Sequence, residues 1–220
     1  PALNFKEKAE QLTRTLRDFT DVYNHEQLFK IPYQLEKILF SEHHLSHAAA
    51  GFQTSPYNDA TVVVIDAIGE FDTISIWNAW YDKNGKAQYK KLWGQRYPDS
   101  IGLFYSAMTQ RIGLKPNEDE YILMGMAAYG DPNRLWNDMY EMFDYVDGPD
   151  IRYKDNLHRG CKHWKPELTT EQDMFDIAAA TQKTYEFTLE QILEWAKKNT
   201  KSRNLVLMGG CALNCSANHL

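Results

Sequence analysis

Apolar and polar residues change their period several times along this chain, and each change predicts a different element. Residues 5–22 set Phe5, Ala9, Leu12, Leu16 and Phe19 at helical spacing among charged neighbours, which predicts an amphipathic lead-in helix. Lys37-Ile38-Leu39-Phe40 reads as a short strand, and an Ala-rich segment over about 43–53 as a helix. Thr54-Ser55-Pro56-Tyr57-Asn58-Asp59 is a loop. Residues 61–67 are an unbroken apolar run, which predicts a central strand covered on both faces. Residues 72–80 alternate and residues 86–96 alternate more weakly. Between them, Asp82-Lys83-Asn84-Gly85 ends in the Asn-Gly pair of a hairpin turn.

From Ser100 the period becomes helical. Leu103, Ala107 and Ile112 predict a helix ending near Gly113, and residues 118–130 a short helix closed by a glycine cap at Gly130. Residues 133–143 predict a further helix, and residues 144–170 an irregular polar connection with a short strand near 151–154. Residues 171–199 are the longest predicted helix, its buried stripe running from Phe175 through Ala178, Gln182, Tyr185 and Leu189 to Trp195. Asn204-Leu205-Val206-Leu207-Met208 reads as a short buried strand that runs into Gly209-Gly210, with a helix beginning at Cys211. A meander led by an acid at the end of a buried strand predicts an α/β domain of the ribonuclease H-like, actin-type class.

Composition narrows the class further. At 220 residues the chain is long enough for a proper core, and its many aromatics argue against disorder. A net charge of −6 leaves no basic footprint for nucleic acid or an anionic membrane. No apolar run approaches a membrane span. Three cysteines, Cys161, Cys211 and Cys215, show no framework spacing, which points to a reducing, cytoplasmic setting. The chain opens Pro1-Ala2-Leu3-Asn4-Phe5, without an initiator Met, and reads as a piece of something longer.

The chemistry concentrates in Glu42-His43-His44-Leu45-Ser46-His47. His43 and His47 are four residues apart, so on a helix both imidazoles share one face and reach one metal ion. Asp66, at the end of the apolar strand, is a candidate third ligand. Two His and a carboxylate suit zinc or a non-haem Fe(II)-type centre with positions left open. The alternative is that these histidines cap or pack a helix. A strand, double glycine and helix start at Gly209-Gly210 lets backbone amides approach a phosphate or nucleotide, although tight turns also use glycine for steric reasons alone. Cys211 and Cys215 read as two buried small hydrophobes rather than ligands. His158-Arg159-Gly160-Cys161-Lys162-His163 has metal-like letters but reads as a solvated loop.

Five blocks in order carry a resemblance. Glu42 to Ala49 with Asp66 and Gly69-Glu70, Ser100 to Ser106, Met124 to Gly130, Asp176 to Gln182, and Gly209 to Asn218 together resemble the amino-terminal domain of O-carbamoyltransferases, the nodulation-type and antibiotic-biosynthetic enzymes. The likeness spans residues 42 to 218. It departs in Asp66-Ala67-Ile68-Gly69, where the family reads Asp-Gly-x-Gly, in Ala128 for Pro and in Cys211 for Val.

The resemblance implies an actin/Hsp70/sugar-kinase (ASKHA) type domain similar to that of the tRNA threonylcarbamoyl transferases, here incomplete at both ends. Residues 1–41 would be a helical lead-in, and 42–220 the partial domain. A YrdC-like domain in the same full-length chain would make carbamoyl-adenylate from carbamoyl phosphate and ATP. The domain resembled here would move the carbamoyl group to a hydroxyl of a sugar or natural product. His43, His47 and Asp66 would be the catalytic residues and hold a divalent metal, with Fe(II) favoured and Mn(II) or Zn(II) possible alternatives. Gly209, Gly210 and Asn214 would line the nucleotide site, and the isolated fragment is expected to be inactive. The competing readings are a sugar-kinase or ATPase-like phosphotransferase of the same fold and a non-catalytic binding module.

Overall fold

A central strand carries the architecture: β1 (Asp59–Gly69) lies between two neighbours and is buried along most of its length. A computed structural model describes residues 41–145 and 148–219; the expectations for residues 5–22 and 37–40 lie outside these. Ahead of β1 runs helix α1 (His43–Thr54). After it come β2 (Asp72–Tyr81) and β3 (Ala87–Arg96), paired antiparallel as the alternating pattern and the Asn84-Gly85 turn predict. The late strand β6 (Leu205–Met208) pairs parallel with β1, Thr61 opposite Leu205 and Val64 opposite Met208. The sheet order is β3-β2-β1-β6, a mixed sheet in an α/β fold.

The period of two in β1 divides its residues between two cores. Val62 and Val64, with Trp77 and Ala79 of β2, pack under Ala48 and Phe52 of α1. Val63 and Ile65, with Ile74 and Ile76, face the opposite side. There they meet α2 (Ile101–Arg111) and the long α5 (Glu171–Asn199) through Phe104, Met108, Ile177 and Tyr185. The expected double covering of the strand is therefore present. Gly51 lets α1 lie close to β6, since a Cβ there would sit 2.5 Å from Met208 Cγ.

Between α2 and α5 come α3 (Glu120–Met126), which continues as a 3-10 turn over Ala127–Tyr129, and α4 (Trp136–Tyr140). A hairpin of β4 (Phe143–Tyr145) with β5 (Ile151–Tyr153) follows. The helix predicted over 133–143 is thus short, because Phe143 enters that hairpin. Gly130 is not a left-handed cap: its backbone is extended (φ −106°), and glycine is needed because a Cβ would lie 2.0 Å from Phe175 O. α5 is buried beyond a single stripe, with Ile177 to Gln182 all inside, because α2, α3 and α4 crowd its first half. Its start carries a capping box of Thr170 and Asp173.

β6 is only partly buried, with Leu205 exposed, rather than a core strand. After it, Gly210–Leu213 is a 3-10 turn and not the start of an α-helix; the Ala212 and Asn214 amides bond three residues back, to Gly209 and Cys211. Cys215 is exposed, contrary to the expected buried pair. Among the described residues no helix is long and apolar enough to cross a membrane.

Candidate functional site

Where β1 ends, its ladder with β2 breaks. Ile65 faces Ile74 and Gly69 faces Asp72, so four steps on β1 answer two on β2 and residues 66–68 bulge out of the pairing. Asp66 keeps the parity of Val62 and Val64, which places its carboxylate on the α1 side. The freed carbonyls of Asp66 and Ala67 accept the Ser100 hydroxyl, at 3.2 and 2.7 Å, and Ser100 also caps α2 by accepting the Leu103 amide. Gly102 completes the fit, since a Cβ there would meet Ala67 Cα at 2.8 Å.

Onto this bulge α1 projects His43 and His47 from one face. His43 Nε2 is 3.0 Å from Asp66 Oδ2, His47 Nε2 is 3.1 Å from the same oxygen, and the two nitrogens are 3.1 Å apart. All three predicted ligands thus come together, and among the described residues this is the group of three with ligand-atom spacing. Each imidazole nitrogen holds at most one proton on this side, so no placement of protons satisfies all three contacts at once. A cation at their centre does. With metal–ligand bonds of about 2.1 Å, adjacent ligand atoms at right angles lie about 3.0 Å apart, which matches the triangle. The donor set fits a divalent ion of the two-His, one-carboxylate type.

The second carboxylate oxygen is engaged elsewhere. Asp66 Oδ1 accepts the Gly210 amide at 2.5 Å. Gly209 makes this possible: its φ is +94°, and a Cβ would lie 2.2 Å from Ile65 O. The double-glycine turn therefore presses on β1 and orients Asp66, a role that the sequence pattern did not reveal.

Beside Asp66 opens a cavity of about 380 Å³. Tyr105, Tyr185, Met124, Cys211 and Leu213 form its walls, and Asn117, Glu118, Glu120 and Tyr121 one rim. Gly210 and Asn214 are among its lining residues, and Gly209 is not. Glu120 Oε1 accepts the Ser106 hydroxyl and the Asn117 amide, both at 2.6 Å. Asn214 is fixed by reciprocal amide bonds to Gln182, whose Oε1 also accepts the Tyr105 hydroxyl. Tyr185 donates to Cys211 O. Burial raises both phenols above their ordinary range and pushes the Cys211 thiol up to about 12. The walls are therefore neutral near pH 7 and hold no ready thiolate.

The segment around Cys161 behaves as a connection. The Cys161 thiol donates to Ala107 O at 3.1 Å, and burial pushes its pKa up to about 12. Its sulfur is turned into the fold, while His158, Arg159, Lys162 and His163 are exposed, as a solvated loop requires.

The chain is similar to several known proteins. The family model described as the carbamoyltransferase N-terminus matches residues 10–220. An uncharacterized protein of Synechocystis sp. is 34% identical over 200 residues, covering 84% of this chain and 32% of that protein. The nodulation protein NolO of Bradyrhizobium diazoefficiens is 30% identical over 187 residues, covering 80% of the chain and 32% of the relative. NolNO of Sinorhizobium fredii is 29% identical over 191 residues, covering 83% and 27%. The chain spans about a third of the length of these relatives. On the match of its residues 10–220, the chain belongs to the carbamoyltransferase family and corresponds to that family's N-terminal region.

Proposed function

We propose that this chain is the metal-binding part of an O-carbamoyltransferase that moves a carbamoyl group from carbamoyl-adenylate, made from carbamoyl phosphate and ATP, to a hydroxyl of a sugar or natural product. The observation that carries the reading is the convergence of His43, His47 and Asp66 at ligand-atom spacing, with Asp66 also lining the cavity. We read the mixed sheet with helices on both faces as part of an ASKHA-type domain, and place the adenylate-forming step in a YrdC-like domain of the full-length protein.

In this reading His43, His47 and Asp66 hold the ion, Fe(II) in preference to Mn(II) or Zn(II). Such an ion acts there as a Lewis acid toward carbonyl and phosphoryl oxygens and the acceptor hydroxyl. The chain's own groups do the positioning. The amide of Gly210 turns the Asp66 carboxylate toward the histidines. The buried phenols and apolar walls exclude water from the reactive carbonyl, and Asn214, with Gly210, lines the nucleotide side. At the rim, Glu118 and Glu120 suit hydroxyl groups, whose protons they accept, better than phosphate. Among the described residues lining the cavity there is no Lys, Arg or His, so a phosphoryl group there has no side-chain cation beside it.

The test uses the full-length protein with carbamoyl phosphate, ATP, Fe(II) and hydroxyl acceptors, followed by mass spectrometry of the acceptor. Carbamoylation that disappears in a His47→Ala variant supports the reading. An enzyme that retains full activity and metal content after that change contradicts it.

A further inference from the structure

His44 stands next to the first candidate ligand and points the other way, into the sheet. It is 2% exposed, and its Nδ1 lies 2.7 Å from Ser75 Oγ on β2. The same oxygen accepts the Trp77 indole N–H at 2.7 Å. Ser75 is fully buried and Trp77 nearly so. An indole nitrogen only donates, so Ser75 accepts that bond, and through its second lone pair or its single proton it also engages His44 Nδ1. The second ring nitrogen of His44 is Nε2. That nitrogen is buried without a hydrogen-bond partner among the described residues. Gly69 presses on it from the bulge: a Cβ there would sit 2.4 Å from His44 Cδ2, 2.6 Å from His44 Nε2 and 2.8 Å from His43 Cδ2.

We propose that His44 is a positioning residue for the triad, clamped between the Ser75–Trp77 pair and Gly69 so that the rotation of α1 holds His43 and His47 on Asp66. The proposal rests on reading the triad as a metal site. Most other anchors of α1, Ala48 and Phe52 above all, are apolar contacts, which are not directional. Gln53 adds a hydrogen bond to the Tyr89 hydroxyl, but at the far end of the helix and exposed. His44 bonds to the sheet in the turn that bears the ligands. An imidazole nitrogen lies about 6–7 Å from the helix axis, so a 10° rotation of α1 moves it by about 1 Å, a large error for a metal site. The unpartnered Nε2 is the cost of this arrangement: only a glycine at position 69 leaves room for the ring in that place.

The test compares the wild-type chain with Ser75→Ala, Ser75→Thr and Gly69→Ala, each checked for an intact fold by circular dichroism and thermal melting. Two readouts are taken. Ring nitrogen NMR on the metal-free chain reports the tautomer of His44 and the environments of His43 and His47. Co(II) titration reports affinity and the visible absorption bands. The expected result is a single His44 tautomer in the wild type, fixed by the Ser75 hydroxyl. Ser75→Ala and Gly69→Ala should shift the His43 and His47 ring signals, alter the Co(II) bands and weaken binding by roughly tenfold or more. Ser75→Thr, which keeps the hydroxyl, should restore both. Tautomer averaging at His44 in the wild type, or folded Ser75→Ala and Gly69→Ala variants with wild-type ring signals, overturns the proposal. If Ser75→Ala does not fold, Gly69→Ala decides. If the wild type takes up no Co(II), the metal reading fails, and the ring signals alone decide the positioning role.

Discussion

The carboxylate of Asp66 and the amide of Gly210 face each other across 2.5 Å, joining the bulge at the end of β1 to the turn that follows β6. The two strands run parallel, so their carboxyl ends come out on the same side of the sheet. That is where α/β folds collect their ligands. Asp66 divides its oxygens: Oδ1 takes the amide, and Oδ2 is left for the histidines.

This contact depends on Gly209. With φ at +94° and Ile65 O where a Cβ would go, Gly209→Ala is expected to cost at least about 2 kcal/mol of stability. Chemical denaturation measures it, and an unchanged midpoint would show that the turn can adopt another course.

Two other glycines separate backbone demand from mere presence. Gly130→Ala drives a Cβ into Phe175 O and should destabilise by about 1–3 kcal/mol. Gly125, inside α3, has nothing within 4 Å of its Cβ position, so Gly125→Ala should stabilise by about 0.5–1 kcal/mol. Thermal melts of the two variants should move in opposite directions.

Acid should unfold the chain partly through the start of α5. Arg134 bridges Asp173 at 2.7 Å and Asp176 at 2.5 Å. The Thr170 hydroxyl and amide, then Arg134, hold Asp173 below the usual carboxylate range. Burial opposes ionisation of Asp176, but Arg134, the Asp131 amide and Gln172 outweigh it. Both folded-state values lie below the unfolded ones, so the unfolded chain binds protons first as pH falls. Their stabilisation is complete above about pH 4 and is lost below it. In Arg134→Met the loss of stability between pH 4 and pH 2 should be shallower, as read by urea melts at each pH. An equal slope in both proteins contradicts this account.

Much of this was legible in the sequence because it follows from local period. The unbroken run at Val62–Ile65, the Asn84-Gly85 hairpin and the long helix over 171–199 each needed only their own residues to be read. So did the i, i+4 pairing of His43 with His47. The rest depends on contacts distant in sequence. Gly130 closes its helix as expected, but the contact that demands glycine there, with Phe175 O, is 45 residues away. The Gly209-Gly210 pair signals a close backbone approach, but not that the Gly210 amide meets Asp66, 144 residues away. His44 was hidden among three histidines, and only Ser75 and Gly69 distinguish it from its neighbours. At Ser100 the period turns helical, but its bonds to the Asp66 and Ala67 carbonyls have no local signal.

The most direct test of the metal triad is anaerobic equilibrium dialysis of the chain against Fe(II), with metal analysis of the wild type, His47→Ala and Asp66→Ala. The account predicts a single ion retained per wild-type chain and none in either variant. A wild type that retains no ion, or variants that retain as much as the wild type, would contradict it.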